Sequence, residues 1–215
     1  MNRTAFFSGV RPALFAGSMT QKQVDGLDFL LDQWNETGFT NQQWLAYALA
    51  TAFHETAHTM QPIREYGRGR GRTYGRPDPV TGQTYYGRGY VQLTWKANYQ
   101  KASQALGTDF VKQPDLVMVP ENAAFIMFQG MASGWFTGRG FNDYLNGGQR
   151  DYRNARRIIN GTDKAGQIAD YALKFEAALD AAREAGPEPQ STIKPETGQH
   201  WLRRLVLAIW KAFKP

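Results

Sequence analysis

Apolar side chains recur at helical spacing along most of the chain. Val24, Leu27, Leu30, Leu31 and Trp34 mark one face of a helix that begins after Met19-Thr20-Gln21-Lys22-Gln23. Thr20 and Gln23 stand at capping-box spacing, and Glu36-Thr37-Gly38 supplies the following turn. A short helix is expected before it. The next helix has Thr40 or Asn41 as its cap and runs from Gln42 to Met60, because no Gly or Pro interrupts it before Pro62. On it Trp44, Ala48, Ala52 and Glu55 share a narrow arc at about 100° per residue, so a carboxylate falls on an apolar face. Burial of that kind disfavours the charged form and raises a carboxyl pKa.

Beyond Pro62 the periodicity disappears. Residues 62–90 hold seven Gly and three Pro and read as a long loop or a pair of hairpins. Val91 to Trp95 form a short extended stretch, followed by helices over 97–106, from Pro120 onward, over 151–159 and over 164–185. The last carries Ile168, Ala172, Phe175 and Leu179 at helical spacing. The stretch GPEPQSTIKPETGQ has three Pro and two Gly and little to bury, so it reads as a linker. The pattern divides the chain into a domain over 1–185, a Pro-rich linker over 186–199 and a cationic amphipathic helix over 200–215. In that tail Trp201, Leu205, Ile209 and Phe213 oppose Arg203, Arg204, Lys211 and Lys214. Fourteen helical residues reach only about 21 Å, too short to span a bilayer, so the tail is expected to lie in an anionic interface with Trp201 and Trp210 near the headgroups.

Composition adds three constraints. The 215 residues include 25 basic and 19 acidic side chains, and the excess is concentrated in two places. One is residues 64–88, with six arginines against Glu65 and Asp78, and the other is the tail. The absence of cysteine removes disulfides, thiolate metal sites and thiol nucleophiles. Six Trp, ten Tyr and thirteen Phe are ample for stacking on sugars or bases as well as for a core. The RGRGR stretch invites a nucleic-acid reading, but it is short, flanked by extended segments and attached to no reader fold, so no nucleic-acid partner is expected. An apolar patch near the N-terminus is broken at Arg11-Pro12 before it makes a signal-peptide core.

Two chemistries compete around one helix. His54-Glu55-Thr56-Ala57-His58 matches H-E-x-x-H, in which i and i+4 histidines on a helix bind zinc. The remaining histidine is His200 in the tail, so the third ligand would have to be an acid such as Glu65, Asp78 or Glu121. The alternative is a carboxylate pair: inverting glycoside hydrolysis needs one carboxylic acid to protonate the leaving oxygen and one carboxylate to activate water. Glu55 and Glu65 fit if the chain folds back after Pro62, with Asp78 and Glu121 as other candidates for the second group. Gln92, Thr94 and Asn98 offer polar contacts to hydroxyl and acetamido groups. Tyr85, Tyr86, Tyr90 and Trp95 offer ring faces.

FHETAHTM at 53–60, YYGRGYVQLTWKANY at 85–99 and RRIINGT at 156–162 resemble the three motifs of the family 19 glycoside hydrolases, the chitinases and their phage endolysin relatives. The opening FFSGVRPALFAGSMTQKQVDG is also similar to the start of those endolysins. The resemblance implies a mainly α, lysozyme-like bilobal helical domain with small hairpin and loop insertions. It assigns the general acid to Glu55, the water-activating base to the region of Glu65 and the water-orienting hydroxyl to Thr94. Substrate contacts are expected from His54, Tyr86, Arg88, Gln92, Trp95, Asn98, Tyr99 and Asn160. Plant members carry a further arginine soon after the I-N-G stretch, and QIADYALKF here lacks one.

Together these readings favour an inverting endolysin that cuts peptidoglycan between N-acetylmuramic acid and N-acetylglucosamine. It would be monomeric and need neither cofactor nor metal. Bacterial peptidoglycan is the expected partner, with an anionic membrane or lipopolysaccharide bound through Trp201, Arg203, Arg204, Trp210, Lys211 and Lys214. Such a protein would be made in a host bacterial cytoplasm without a signal peptide and act in the periplasm after membrane permeabilisation. A chitinase, a zinc peptidase and a non-enzymatic wall-binding module are the alternatives.

Overall fold

A computed structural model describes residues 1–187, and the expected tail and all but the first two residues of the linker lie outside that range. The chain is mainly α-helical, as the pattern requires. Helix α1 (Arg3–Leu14) is capped by the Asn2 side chain, and α2 (Gln21–Thr37) by a complete Thr20/Gln23 capping box. Gly38 closes α2 in the left-handed conformation with φ 71°.

Helix α3 (Gln42–Glu55), capped by Asn41, is the centre of the molecule: every residue from Leu45 to Phe53 is buried. A helix buried on all sides must be covered all round. α6 (Ala165–Glu184) packs along α3, and α1 packs on α6. On the other side α2 lies against α5 (Pro120–Ala132), which also contacts α3. α4 (Lys96–Leu106) places Tyr99 and Ala102 in the same core. The region 62–90 does contain a hairpin. Ile63–Arg64 (β1) pairs antiparallel with Arg88–Gly89 (β2) in the register Ile63 to Gly89 and Arg64 to Arg88.

Two boundaries differ from the sequence expectation. Residues 151–159 form a short 3-10 turn over Asn154–Ile158 rather than an α-helix. More consequentially, α3 ends at Glu55, not at Met60. The Thr56 hydroxyl donates back to the Ala52 carbonyl at 2.7 Å, and the His58 N–H reaches the Phe53 carbonyl at 2.8 Å, the six-to-one bond of a Schellman ending. Ala57 (φ 49°), His58 (φ 65°) and Met60 (φ 55°) all occupy the left-handed region, which costs non-glycine residues energy. The bend carries the Met60 side chain into the core, where it is fully buried.

Gly26 on α2 makes this bend fit, since a Cβ there would collide with the Met60 carbonyl oxygen. Gly26→Ala would gain roughly 1 kcal/mol of helix propensity and lose more to the overlap, typically about 1–3 kcal/mol for overpacking. Net destabilisation is therefore expected in urea or thermal unfolding.

Candidate active site

Terminating α3 at Glu55 puts that carboxylate at the mouth of a cleft instead of along an apolar helix face. The cleft is a cavity of about 810 Å³ that Glu55 and Glu65 both line, together with Tyr74, Gln92, Thr94, Trp95, Asn98, Thr137, Arg156 and Asn160. The expected carboxylate pair is thus brought into one hollow. Glu55 is not left among apolar groups: its Oε1 accepts from Arg156 Nη1 at 2.7 Å, across 101 residues of sequence. The guanidinium is 4% exposed and the carboxylate 16%. Arg156 Nε donates to the Asp163 carbonyl, so the arginine is held from two directions.

Glu65 is fixed by different means. It follows β1, and its backbone N–H donates to the Gly87 carbonyl at 2.8 Å, extending the hairpin by one rung. Its Oε1 accepts from the Tyr74 hydroxyl at 2.8 Å and its Oε2 from the Gly87 N–H at 3.1 Å. Burial raises the Tyr74 phenol above its ordinary range and the hydrogen bond to Glu65 adds to that, so Tyr74 stays a proton donor to the carboxylate. Gly87 admits this packing because a Cβ there would press on the Gln92 side-chain oxygen.

Next to Glu65 the chain makes a tight turn between Arg88 and Leu93, which exchange both backbone hydrogen bonds. Gln92 (φ 52°) and Trp95 (φ 75°) sit in left-handed backbone at its ends, a strained geometry that clusters at functional sites. Gln92 spends its amide N–H groups on the Ile63 and Gly89 carbonyls, so it braces the turn. Thr94 Oγ1 donates to the Gln92 carbonyl at 2.7 Å, which leaves its lone pairs to accept. Asn98 Nδ2 donates to the Thr94 carbonyl at 2.9 Å. The Trp95 indole is 51% exposed and stands edge-on to Tyr74 at 5.2 Å.

Several expected contacts lie elsewhere. Arg88 is buried, donating to Asp115, to the Thr84 and Tyr86 carbonyls and to the Tyr99 hydroxyl, and it packs over the Tyr86 ring at 3.6 Å. Arg88, Tyr86 and Tyr99 therefore form the support behind the cleft wall and do not line the cleft. Burial opposes ionisation of Asp115, but hydrogen bonds from Arg64 and Arg88 outweigh it and hold its carboxyl below the usual range. His54 does not line the cavity either; burial lowers its pKa against the pull of Glu55.

The zinc alternative fails on local geometry. His58 lies three residues past the end of α3, so the two histidines are not one turn apart on a helix, and its ring lies flat on Phe53 at 4.0 Å. Among the described residues no group of three or more His, Asp or Glu side chains is placed to hold a metal. Arg156, the partner of Glu55, precedes the I-N-G stretch in Arg156-Arg157-Ile158-Ile159-Asn160 and was not among the expected site residues. The arginine was legible in the motif itself. Tyr74 and Thr137 were also missed, and no spacing in a Gly-rich loop pointed to them.

Comparison with known proteins corrects the functional expectation. The family model described as chitinase class I matches residues 41–143, a stretch that holds Glu55, Glu65 and Thr94 and stops short of Arg156. An endochitinase of Arabidopsis thaliana is 29% identical over 157 residues, covering 73% of this chain and 53% of that protein. Two solved structures share the fold at a TM-score of 0.50. A mutant of chitinase C is 21% identical, with 90% of this chain and 94% of that one covered. A bacterial family 19 chitinase is 23% identical, with 88% and 97% covered. The chain spans about half the length, or less, of the curated relatives it matches. These similarities are to chitinases, so the endolysin, its muramidase activity, its bacteriophage lysis role and peptidoglycan as partner are withdrawn. The anionic membrane or lipopolysaccharide partner was part of that same reading and falls with it. The residues offered for it, Trp201 to Lys214, lie outside the described residues, and no described helix is long and apolar enough to cross a membrane.

The Gly-rich loop is tethered to α4 by Asp78, whose carboxylate takes hydrogen bonds from Lys96 Nζ and from the Val80 and Thr81 N–H groups. The Lys96 contact and these backbone bonds lower its pKa from 3.8 to about 2. A carboxyl whose folded pKa is depressed stabilises the fold fully above its unfolded value and loses that contribution as pH falls through the folded one. Trp95 fluorescence is therefore expected to hold steady above about pH 4 and to change near pH 2. Asp78→Asn should loosen the loop at neutral pH and remove this transition.

Proposed function

We propose that this protein hydrolyses the β-1,4 bonds of N-acetylglucosamine polymers, chitin being the parent substrate, by a single displacement. The observation that carries the reading is the pair of carboxylates in one cleft, each immobilised by a different set of donors. The similarity to chitinases supports the substrate class.

In this mechanism Glu55 is the proton donor. Arg156 engages Oε1, which leaves Oε2 as the oxygen that carries the proton and delivers it to the glycosidic oxygen as the C1–O bond breaks. Glu65 is the base. With one hydrogen bond on each oxygen it keeps a lone pair free on both, and it takes a proton from the water that attacks C1 from the opposite face. Thr94 accepts a hydrogen bond from that water and so orients it, while Asn98 and Asn160 face the sugar's polar groups. Trp95 offers an apolar face to a pyranose ring.

Digestion of glycol chitin and of chitin oligomers tests the reading. Glu55→Gln should lower the rate by at least about 10², the usual scale of general acid catalysis, and Glu65→Gln by a comparable factor, with both variants folded. Proton NMR of the first products should show the α-anomer, because one displacement at a β-linkage inverts C1. A folded Glu55→Gln protein with the full rate, a β-anomer as first product, or cleavage of purified peptidoglycan with none of chitin would contradict the proposal.

A further inference from the structure

One peptide unit behind the cleft joins the proposed base to the buried Arg88. The Gly87 N–H that donates to Glu65 Oε2 at 3.1 Å belongs to the same amide as the Tyr86 carbonyl. That carbonyl accepts from the Tyr99 hydroxyl at 2.8 Å and, more weakly, from Arg88 Nη1 at 3.3 Å. The Tyr99 oxygen in turn accepts from Arg88 Nη1 at 2.9 Å, and Arg88 Nε is anchored on Asp115 at 2.8 Å. The bonds therefore run head to tail: guanidinium to phenol, phenol to carbonyl, amide to carboxylate.

Because the amide is planar and trans, its C=O and N–H point in opposite directions, so clamping the oxygen from behind aims the hydrogen at Glu65. Donors on a carbonyl also polarise its amide and strengthen the bond that its N–H makes, above all away from water. Here Tyr86 is 6% exposed, Arg88 3% and Tyr99 0%, and Gly87 is buried with them. The chain begins at a cation and ends at a carboxylate, which makes both terminal links charge-assisted. Burial holds the Tyr99 phenol well above its ordinary range against the pull of Arg88, so the hydroxyl keeps the proton it donates. The other Glu65 oxygen is served by Tyr74 from the Gly-rich loop, outside this chain.

We infer that Tyr99 and Arg88 are positioning residues for Glu65: acting through the peptide between Tyr86 and Gly87, they hold the carboxylate that takes the proton from water, and they do so without touching substrate. This rests on the proposed role of Glu65 as the base.

Tyr99→Phe removes the hydroxyl and keeps the ring in the core. On chitin oligomers its kcat is expected to fall about three- to tenfold, the scale of one lost hydrogen bond, with KM changed less than about twofold. The loss should vanish in a Glu65→Gln background, because the effect passes through that carboxylate, whereas a general structural defect would persist there. In proton–nitrogen NMR the Gly87 amide proton should move upfield in Tyr99→Phe, with the ring current of the retained ring unchanged. If Tyr99→Phe does not fold, Glu65→Gln reads the same chain from its other end, and the Gly87 amide proton and the Tyr86 carbonyl carbon should both shift. An unchanged kcat in folded Tyr99→Phe, an equal loss in both backgrounds, or resonances that stay in place would overturn the positioning role while leaving Glu65 as the base. Full activity of folded Glu65→Gln would overturn the base, and the positioning role with it.

Discussion

The buried contact between Glu55 and Arg156 is the interaction on which the rest of the site depends. A guanidinium that is 4% exposed must have its charge answered, and here the partner is the last residue of the central helix. That contact joins the α3 terminus to the 3-10 turn over Asn154–Ile158 and sets the direction in which the Glu55 carboxyl faces, while the Thr56 back-bond and the His58 N–H end the helix. It also separates the neighbours Arg156 and Arg157 into inward and outward roles. Both line the cleft, Arg156 buried against Glu55 and Arg157 exposed.

The second carboxylate is held by the hairpin and by the loop that the hairpin closes. Residues 65–76 advance by successive tight turns, with the N–H groups of Arg68, Arg70 and Arg72 each bonded three residues back. Gly67, Gly69 and Gly71 supply the left-handed positions such a path needs. Order in this segment comes from backbone turns and from two anchors, Glu65 with Tyr74 and Asp78 with Lys96, with little help from a core. The cleft is accordingly made of two unlike halves. One is a buried helix end with an ion pair, and the other is a Gly-rich loop pinned by hydrogen bonds.

Most of the helical frame was legible, because α2 and α6 bury faces whose period survives in the sequence, and α3, buried all round from Leu45 to Phe53, was marked by its cap and by the absence of Gly and Pro before Pro62. The cap at Thr20 was legible for the same reason, since capping is a local matter. The end of α3 was not: nothing in Thr56 to Gln61 is a glycine or proline, and the bend is made by a threonine back-bond and three left-handed residues that ordinary propensities disfavour. Glu55 and Glu65 were readable as a carboxylate pair, whereas Arg156, the cation beside Glu55, stood inside the RRIINGT motif without being given a role. Arg88 was misread because an arginine in a Gly-rich stretch suggests a solvent-facing group. Here its charge is answered by Asp115 and by carbonyls inside the fold. The peptidoglycan expectation rested on the basic loop and the cationic tail, neither of which distinguishes one N-acetylglucosamine polymer from another, and it gave way to the similarity to chitinases.

Glu55 and Arg156 act as one energetic unit that holds the proposed proton donor in place. A double-mutant cycle in urea denaturation, with Glu55→Gln, Arg156→Gln and the combined variant, measures this directly. The two substitutions are expected to be strongly non-additive, with a coupling of about 1–3 kcal/mol, because either change alone leaves the remaining side chain without its hydrogen-bond partner. Additive effects within about 0.5 kcal/mol would show that Arg156 does not hold the Glu55 carboxyl in place.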